Sequence, residues 1–166
     1  GSVSIPVIVA GRINDPGQAE QILEAGSADM VGMTRALTAD HEFFKKALEG
    51  RPEDIRRCIG NNECHYPGRT MSCTINPMAG REDEMRITRA RSQRTIVVVG
   101  GGPAGMEAAK VAAMRGHDVT LYERRSELGG QVAALGKDPH RPDISGYVEY
   151  QERGLRDAGV KIATGI

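Results

Sequence analysis

Tryptophan is absent, and the only aromatic residues are two phenylalanines and four tyrosines. A core in this chain therefore rests on Val, Ile, Leu, Ala and Met rather than on large rings. Neither sign of charge is in surplus, because 22 Lys and Arg balance 22 Asp and Glu. That balance excludes the basic footprint of a nucleic-acid binder or of a protein held on an anionic membrane. No apolar run approaches the length of a bilayer span. The opening residues, Gly1 to Pro6, lack the basic-then-apolar layout of a secretion signal. Cysteine is scarce and odd in number: Cys58, Cys64 and Cys73, all in one stretch. Such a set argues against a secreted disulfide framework and for thiolate chemistry in a reducing compartment, so a cytoplasmic location is expected. Internal repeats are absent as well.

What is present falls into three unlike pieces: 1–50, 51–93 and 94–166. In the first, Ile5 to Ala10 is a short β-branched run bounded by Pro6 and Gly11, read as a buried parallel strand. Asp15-Pro16 starts a helix, with Asp as cap and Pro at the first position, and Gly26 ends it. Asp29 to Met33 is a second strand. Thr38 or Asp40 opens another helix, with Phe43, Phe44, Ala47 and Leu48 on one face and Gly50 as the stop. The second piece has no period. It holds all three cysteines, His65, turn residues at Pro67-Gly68 and Asn76-Pro77, and a charged tail from Arg81 that reads as a solvated linker. The third piece reads as strand Thr95–Val99, a tight glycine turn, a helix from Met106 to Arg115, strand Asp118–Glu123, a helix from Ile144 to Ala158, and a strand from Val160 to Ala163.

The turn Gly100-Gly-Gly-Pro-Ala-Gly105 lies between a strand and a helix, the context a dinucleotide-binding turn requires. Gly100 makes the sharp bend. Gly102 lets the backbone approach a pyrophosphate, and Gly105 lets helix and strand pack closely. Ala104 lies in the same first helical turn, whose N–H groups and partial positive charge suit phosphate. About twenty residues on, Glu123 ends the next strand, where a carboxylate accepts the adenosine ribose hydroxyls. Its charge disfavours a 2′-phosphate.

Cys58, Cys64 and Cys73 are candidate ligands for a metal or an iron–sulfur cluster. Three thiolates fall short of the usual four for [4Fe–4S]. His65 completes a Cys3His zinc set on paper, although its adjacency to Cys64 makes joint binding awkward. Three free buried thiols are the alternative.

The order of pieces resembles the middle of the iron–sulfur flavoprotein NADH:flavin oxidoreductase family, the group of bacterial 2,4-dienoyl-CoA reductase and trimethylamine dehydrogenase. Val7-Ile-Val-Ala-Gly-Arg-Ile-Asn14 is similar to the family's seventh barrel strand and phosphate-binding end. Ala28-Asp-Met-Val-Gly-Met-Thr-Arg-Ala-Leu-Thr-Ala-Asp40 is similar to the eighth strand and the loop after it. The resemblance implies that Gly11, Arg12, Gly32, Met33 and Arg35 surround FMN, in keeping with phosphate sites near strands seven and eight of such barrels. Cys58-Ile-Gly-Asn-Asn-Glu-Cys64 and Cys73-Thr-Ile-Asn-Pro77 resemble the family's cluster segment, but Asn61 stands where a cysteine belongs and the stretch from Cys64 to Cys73 is short. A [4Fe–4S] cluster with another fourth ligand, a three-iron cluster and no cluster all stay open. Val98 to Met106 and Glu127-Leu-Gly-Gly-Gln131 resemble the FAD-binding domain, which implies Gly130 and Gln131 near the nucleotide's phosphates.

The fold class that follows is α/β: the last β/α units of a TIM barrel, an irregular cysteine-containing linker, and the start of a Rossmann-like FAD-binding domain. The implied activity is a flavin-dependent oxidoreductase. It would pass electrons between NAD(P)H or another redox partner, FAD, an iron–sulfur cluster and FMN, to or from an enoyl-type or amine small-molecule substrate. Two barrel strands cannot close a barrel, so the chain alone is expected to be inactive, and its exposed edges to pair with another copy or with the rest of a longer protein. The competing readings are a non-catalytic adenine-nucleotide-binding module and a zinc-stabilised structural fragment.

Overall fold

The computed structural model describes residues 3–66, 68 and 70–166. It forms two compact units, Gly1–Glu82 and Asp83–Ile166.

The first unit is built on two short parallel strands, β1 (Ile8–Ala10) and β2 (Met30–Gly32), with Ile8 opposite Met30 and Ala10 opposite Gly32. Helix α1 (Pro16–Glu24) connects them. Its start is as the sequence predicts: Asp15 is the cap, its carboxylate accepts the Gln18 N–H at 3.1 Å, and Pro16 takes the first turn. Gly26 follows in the left-handed region. β1 is parallel as expected but not buried. Ile5, Val7 and Ile8 are exposed, because a two-stranded sheet covers its own faces poorly. Two helices replace the single one expected after β2. These are α2 (Thr34–Ala39) and α3 (Phe43–Leu48).

Asp40 divides the two helices. Its carboxylate accepts from the Glu42 N–H at 3.0 Å, the Arg56 N–H at 2.8 Å and the Lys46 ammonium at 2.6 Å. Phe43 is buried while Phe44 and Leu48 face out, so the four apolar residues do not share one face. Ile13, Met33, Ala36, Phe43 and Ile55 form the core of this unit.

The second piece of the sequence is irregular, as expected, apart from 3₁₀ turns at Pro52–Asp54 and Glu63–His65. The turn expected at Pro67-Gly68 falls partly on Pro67, outside the described residues.

The second unit is a parallel sheet in the order β3 (Thr95–Val99), β4 (Asp118–Glu123), β5 (Lys161–Thr164). Helix α4 (Pro103–Met114) links β3 to β4. Helices α5 (Gly130–Gly136) and α6 (Pro142–Asp157) link β4 to β5. The helix after the glycine turn starts earlier than expected because Pro103 is tolerated at a first helical position. α5 was not foreseen, because its Gly-Gly-Gln start reads as a plain turn. The core gathers Met106, Ala109, Val119, Leu121, Leu155 and Val160 between helices and sheet. β3 is an edge strand, and Val97 and Val99 are exposed rather than buried.

Candidate functional site

Two separate sites emerge, one in each unit. In the first unit, β1 and β2 end side by side. Their C-terminal ends and the residues that follow line a cavity of about 270 Å³, bounded by Gly11, Arg12, Gly32, Met33 and Arg35 together with His65. Every residue expected around FMN is therefore brought together. The bend after β1 is sharp: Gly11 has φ 133° and Arg12 φ 52°. A non-glycine residue in the left-handed region costs on the order of 1 kcal/mol, and such residues cluster at binding sites. The Arg12 guanidinium lies over Gly60, where any side chain would overlap it. Arg35 donates to the Asn62 carboxamide oxygen at 2.7 Å. The site thus offers two guanidinium groups beside glycine backbone at the carboxyl ends of parallel strands, a donor set that fits a phosphate. Residue-by-residue reading missed Asn14 and Thr34, which also line the cavity, and considered His65 only as a zinc ligand. Asn14 stood inside the Gly-Arg-Ile-Asn run. Nothing in the local sequence points His65 at this cavity.

The cysteine segment belongs to the same unit. Cys58 is buried, and Cys64 and Cys73 are half-buried; all three are free thiols. Burial, then the neighbouring Cys58 thiol, pushes the Cys64 thiol up from its ordinary value. Among the described residues, no three His, Cys, Asp or Glu side chains converge closely enough to hold a metal ion. Asn61 donates its amide to the Thr74 hydroxyl. The residues present do not make up a four-thiolate cluster site, and the zinc reading gains no support.

In the second unit, the glycine turn connects β3 to α4. Gly100 has φ 104° and donates to the Tyr122 carbonyl at 2.8 Å. A side chain at Gly105 would collide with the Gly100 carbonyl, which is the close approach expected there. Space in front of Gly100 and Gly102 is open, so the turn leaves room for a ligand against bare backbone. The first N–H groups of α4, at Ala104 and Gly105, have no acceptor within the helix and suit a pyrophosphate. Gly129 donates to the Gly101 carbonyl at 2.7 Å. That bond brings the start of α5 to the turn: a side chain added at Gly130 would lie 3.2 Å from the Gly102 Cα. Gln131 follows in the first turn of α5 and is exposed.

Glu123 also reaches this turn. Its carboxylate accepts the Gly101 N–H at 2.6 Å and the Arg125 N–H at 2.8 Å. Those two N–H groups, that of Arg125 foremost, hold its pKa below the usual carboxylate value. Each carboxylate oxygen has a second lone pair.

Residues 1–54 match the NADH:flavin oxidoreductase / NADH oxidase family, and residues 95–151 match the FAD dependent oxidoreductases. An NADH oxidase of Thermoanaerobacter brockii is 45% identical over 99% of this chain. The chain belongs to the NADH:flavin oxidoreductase family. It spans about a quarter of its relatives' length, 26% of that NADH oxidase. A 2-naphthoyl-CoA reductase superposes with a TM-score of 0.92 at 35% identity, over 99% of this chain and 26% of its own. Histamine dehydrogenase from Rhizobium sp. 4-9 superposes with a TM-score of 0.88 at 34% identity, over 98% of this chain and 25% of its own. The structure is α/β with parallel sheets, as the sequence predicted, and its structural neighbours are TIM-barrel flavoenzymes. Among the described residues, no helix is long and apolar enough to cross a membrane.

Proposed function

We propose that this chain carries two flavin-binding elements of an oxidoreductase: the phosphate end of an FMN site and the pyrophosphate turn of an FAD site. The observation that carries the reading is the meeting of Gly11, Arg12, Gly32, Met33 and Arg35 around one cavity at the carboxyl ends of β1 and β2. Bound flavins supply the hydride and single-electron chemistry. The chain's own residues bind and orient. Arg12 and Arg35 bring fixed positive charge to the FMN phosphate, while Gly11 and Gly32 leave the backbone open to it. Gly100, Gly102, Ala104 and Gly105 present the start of α4 to the FAD pyrophosphate. Glu123 faces the adenosine ribose, and Gly130 and Gln131 close the phosphate side.

The wider activity is electron transfer between NAD(P)H or another redox partner and an enoyl-type or amine small molecule. Similarity to both a CoA-thioester reductase and an amine dehydrogenase supports both substrate classes. Charge balance supports a small-molecule substrate over nucleic acid or a membrane as partner, and free thiols support a cytoplasmic location. The exposed edge strand β3 supports pairing with another copy or with further sequence. No residue here is assigned to proton transfer.

The test is flavin release by the intact protein that carries this chain. Arg35→Ala should lose FMN on dialysis while keeping FAD. Equal retention of both flavins would remove FMN from this cavity.

A further inference from the structure

The cysteine segment departs from a cluster site in a specific way, and hydrogen bonds fill the difference. Where a fourth thiolate would stand, Asn61 turns its amide nitrogen to the Thr74 hydroxyl. Its carboxamide oxygen faces the Glu63 N–H at 3.4 Å. The side chain is thus engaged at both ends within the segment. A neutral carboxamide is also a poor ligand for iron, which prefers thiolate in such clusters.

The bond to Thr74 ties the Cys58–Cys64 loop to the residue beside Cys73, so it spans the part of the segment a cluster would otherwise bridge. Three further asparagines anchor the same segment to the rest of the first unit. Asn14 donates to the Cys58 carbonyl at 3.2 Å, Asn62 accepts from Arg35 at 2.7 Å, and Asn76 donates to the Thr38 carbonyl at 2.9 Å. Asn62 occupies the left-handed region, with φ 62°, that asparagine tolerates well. Closing a loop needs either a cross-link or enough local bonds to offset its entropy, and these four side chains supply the bonds.

We propose that an asparagine clamp closes this segment in place of an iron–sulfur cluster, leaving Cys58, Cys64 and Cys73 as free thiols. The inference rests on the flavoenzyme reading above, and flavin and iron are counted separately so that either can fail alone. Electron transfer in the intact protein then does not run through a four-thiolate relay at this segment.

The experiment takes the intact protein, purified without oxygen from cells supplied with iron, and counts flavin, iron and acid-labile sulfide. Thr74→Val is compared with the unsubstituted protein, each with and without an iron chelator, by the rate of protease cleavage between residues 58 and 74. The inference expects flavin without stoichiometric iron or sulfide. It expects cleavage about fivefold faster in Thr74→Val, the loss of one hydrogen bond, and no response to chelator. Stoichiometric iron with sulfide overturns it. So does a segment that chelator loosens and Thr74→Val does not. Absence of both flavins would overturn the proposed function instead, whatever the iron count.

Discussion

At the scale of single residues, the two arginines of the first unit have unlike roles. Arg35 is half-buried and held by Asn62, whereas Arg12 is exposed and sits on a strained backbone. Removing a charged hydrogen-bonding group costs about 1.5–3 kcal/mol. Arg35→Ala should therefore weaken FMN binding roughly ten- to a hundredfold by titration of the apoprotein; an unchanged affinity would show that another group carries the phosphate. Arg12→Gly relieves the left-handed strain, so it should weaken FMN in the same assay while melting no earlier than the parent.

In the second unit, Gly105→Val forces a side chain into the Gly100 carbonyl. Overpacking of this kind costs about 1–3 kcal/mol and should lower the melting temperature and release FAD together. Glu123 gives the pH prediction. Its carboxylate pKa is depressed by the Arg125 and Gly101 N–H groups. The linked stability is fully present above the ordinary value of about 4.3 and is lost as pH falls through the lowered value. Glu123→Gln should flatten that acid limb of the melting curve.

Gly100, Gly102, Gly105 and Glu123 were legible as candidates in the sequence, because a strand–turn–helix motif records backbone freedom and charge directly. Gly11, Arg12, Gly32, Met33, Arg35, Gly130 and Gln131 needed a family resemblance. His65 was not legible at this cavity, because only the fold of an irregular segment brings it there.

At the scale of elements, α4 and α6 are joined through a buried polar cluster. Lys110 reaches Glu107 at 2.6 Å and the Gln151 carboxamide oxygen at 2.9 Å, and Gln151 donates to Glu107 at 2.8 Å and to the Tyr147 hydroxyl at 2.9 Å. Gln151 is fully buried. Lys110→Ala leaves its oxygen without that donor, a loss of about 1–3 kcal/mol, and should lower the denaturant midpoint with FAD affinity nearly kept. A midpoint that does not move would show that water replaces the ammonium.

Strand β4 matches its expected bounds because Asp118–Glu123 is closed by Gly116 before it and by the charged Arg124-Arg125 pair after it. Helix α2 was missed. Thr34–Ala39 is short and uncapped by any side chain, and packing of Ala36 and Ala39, not local propensity, holds it. β1 and β3, expected to be buried, keep Val9, Ile96 and Val98 against the cores but leave Ile8, Val97 and Val99 exposed, because strand composition reports what a full sheet would cover, and among the described residues these sheets have two and three strands.

At the scale of the whole molecule, two units with separate cores each present one phosphate-ready site: the carboxyl ends of parallel strands in the first, and a glycine turn with a helix start in the second. That division follows the family boundaries in the sequence, residues 1–54 and 95–151. The central claim is that both sites belong to one flavoenzyme. Its most direct test is the flavin content of the intact protein that carries this chain, released by denaturation and separated by chromatography. The account predicts FMN and FAD in equal, stoichiometric amounts. A single flavin in Arg35→Ala, with FMN the one lost, would place each flavin at its proposed site. An adenine nucleotide without flavin, or FAD alone in the unsubstituted protein, would contradict the account.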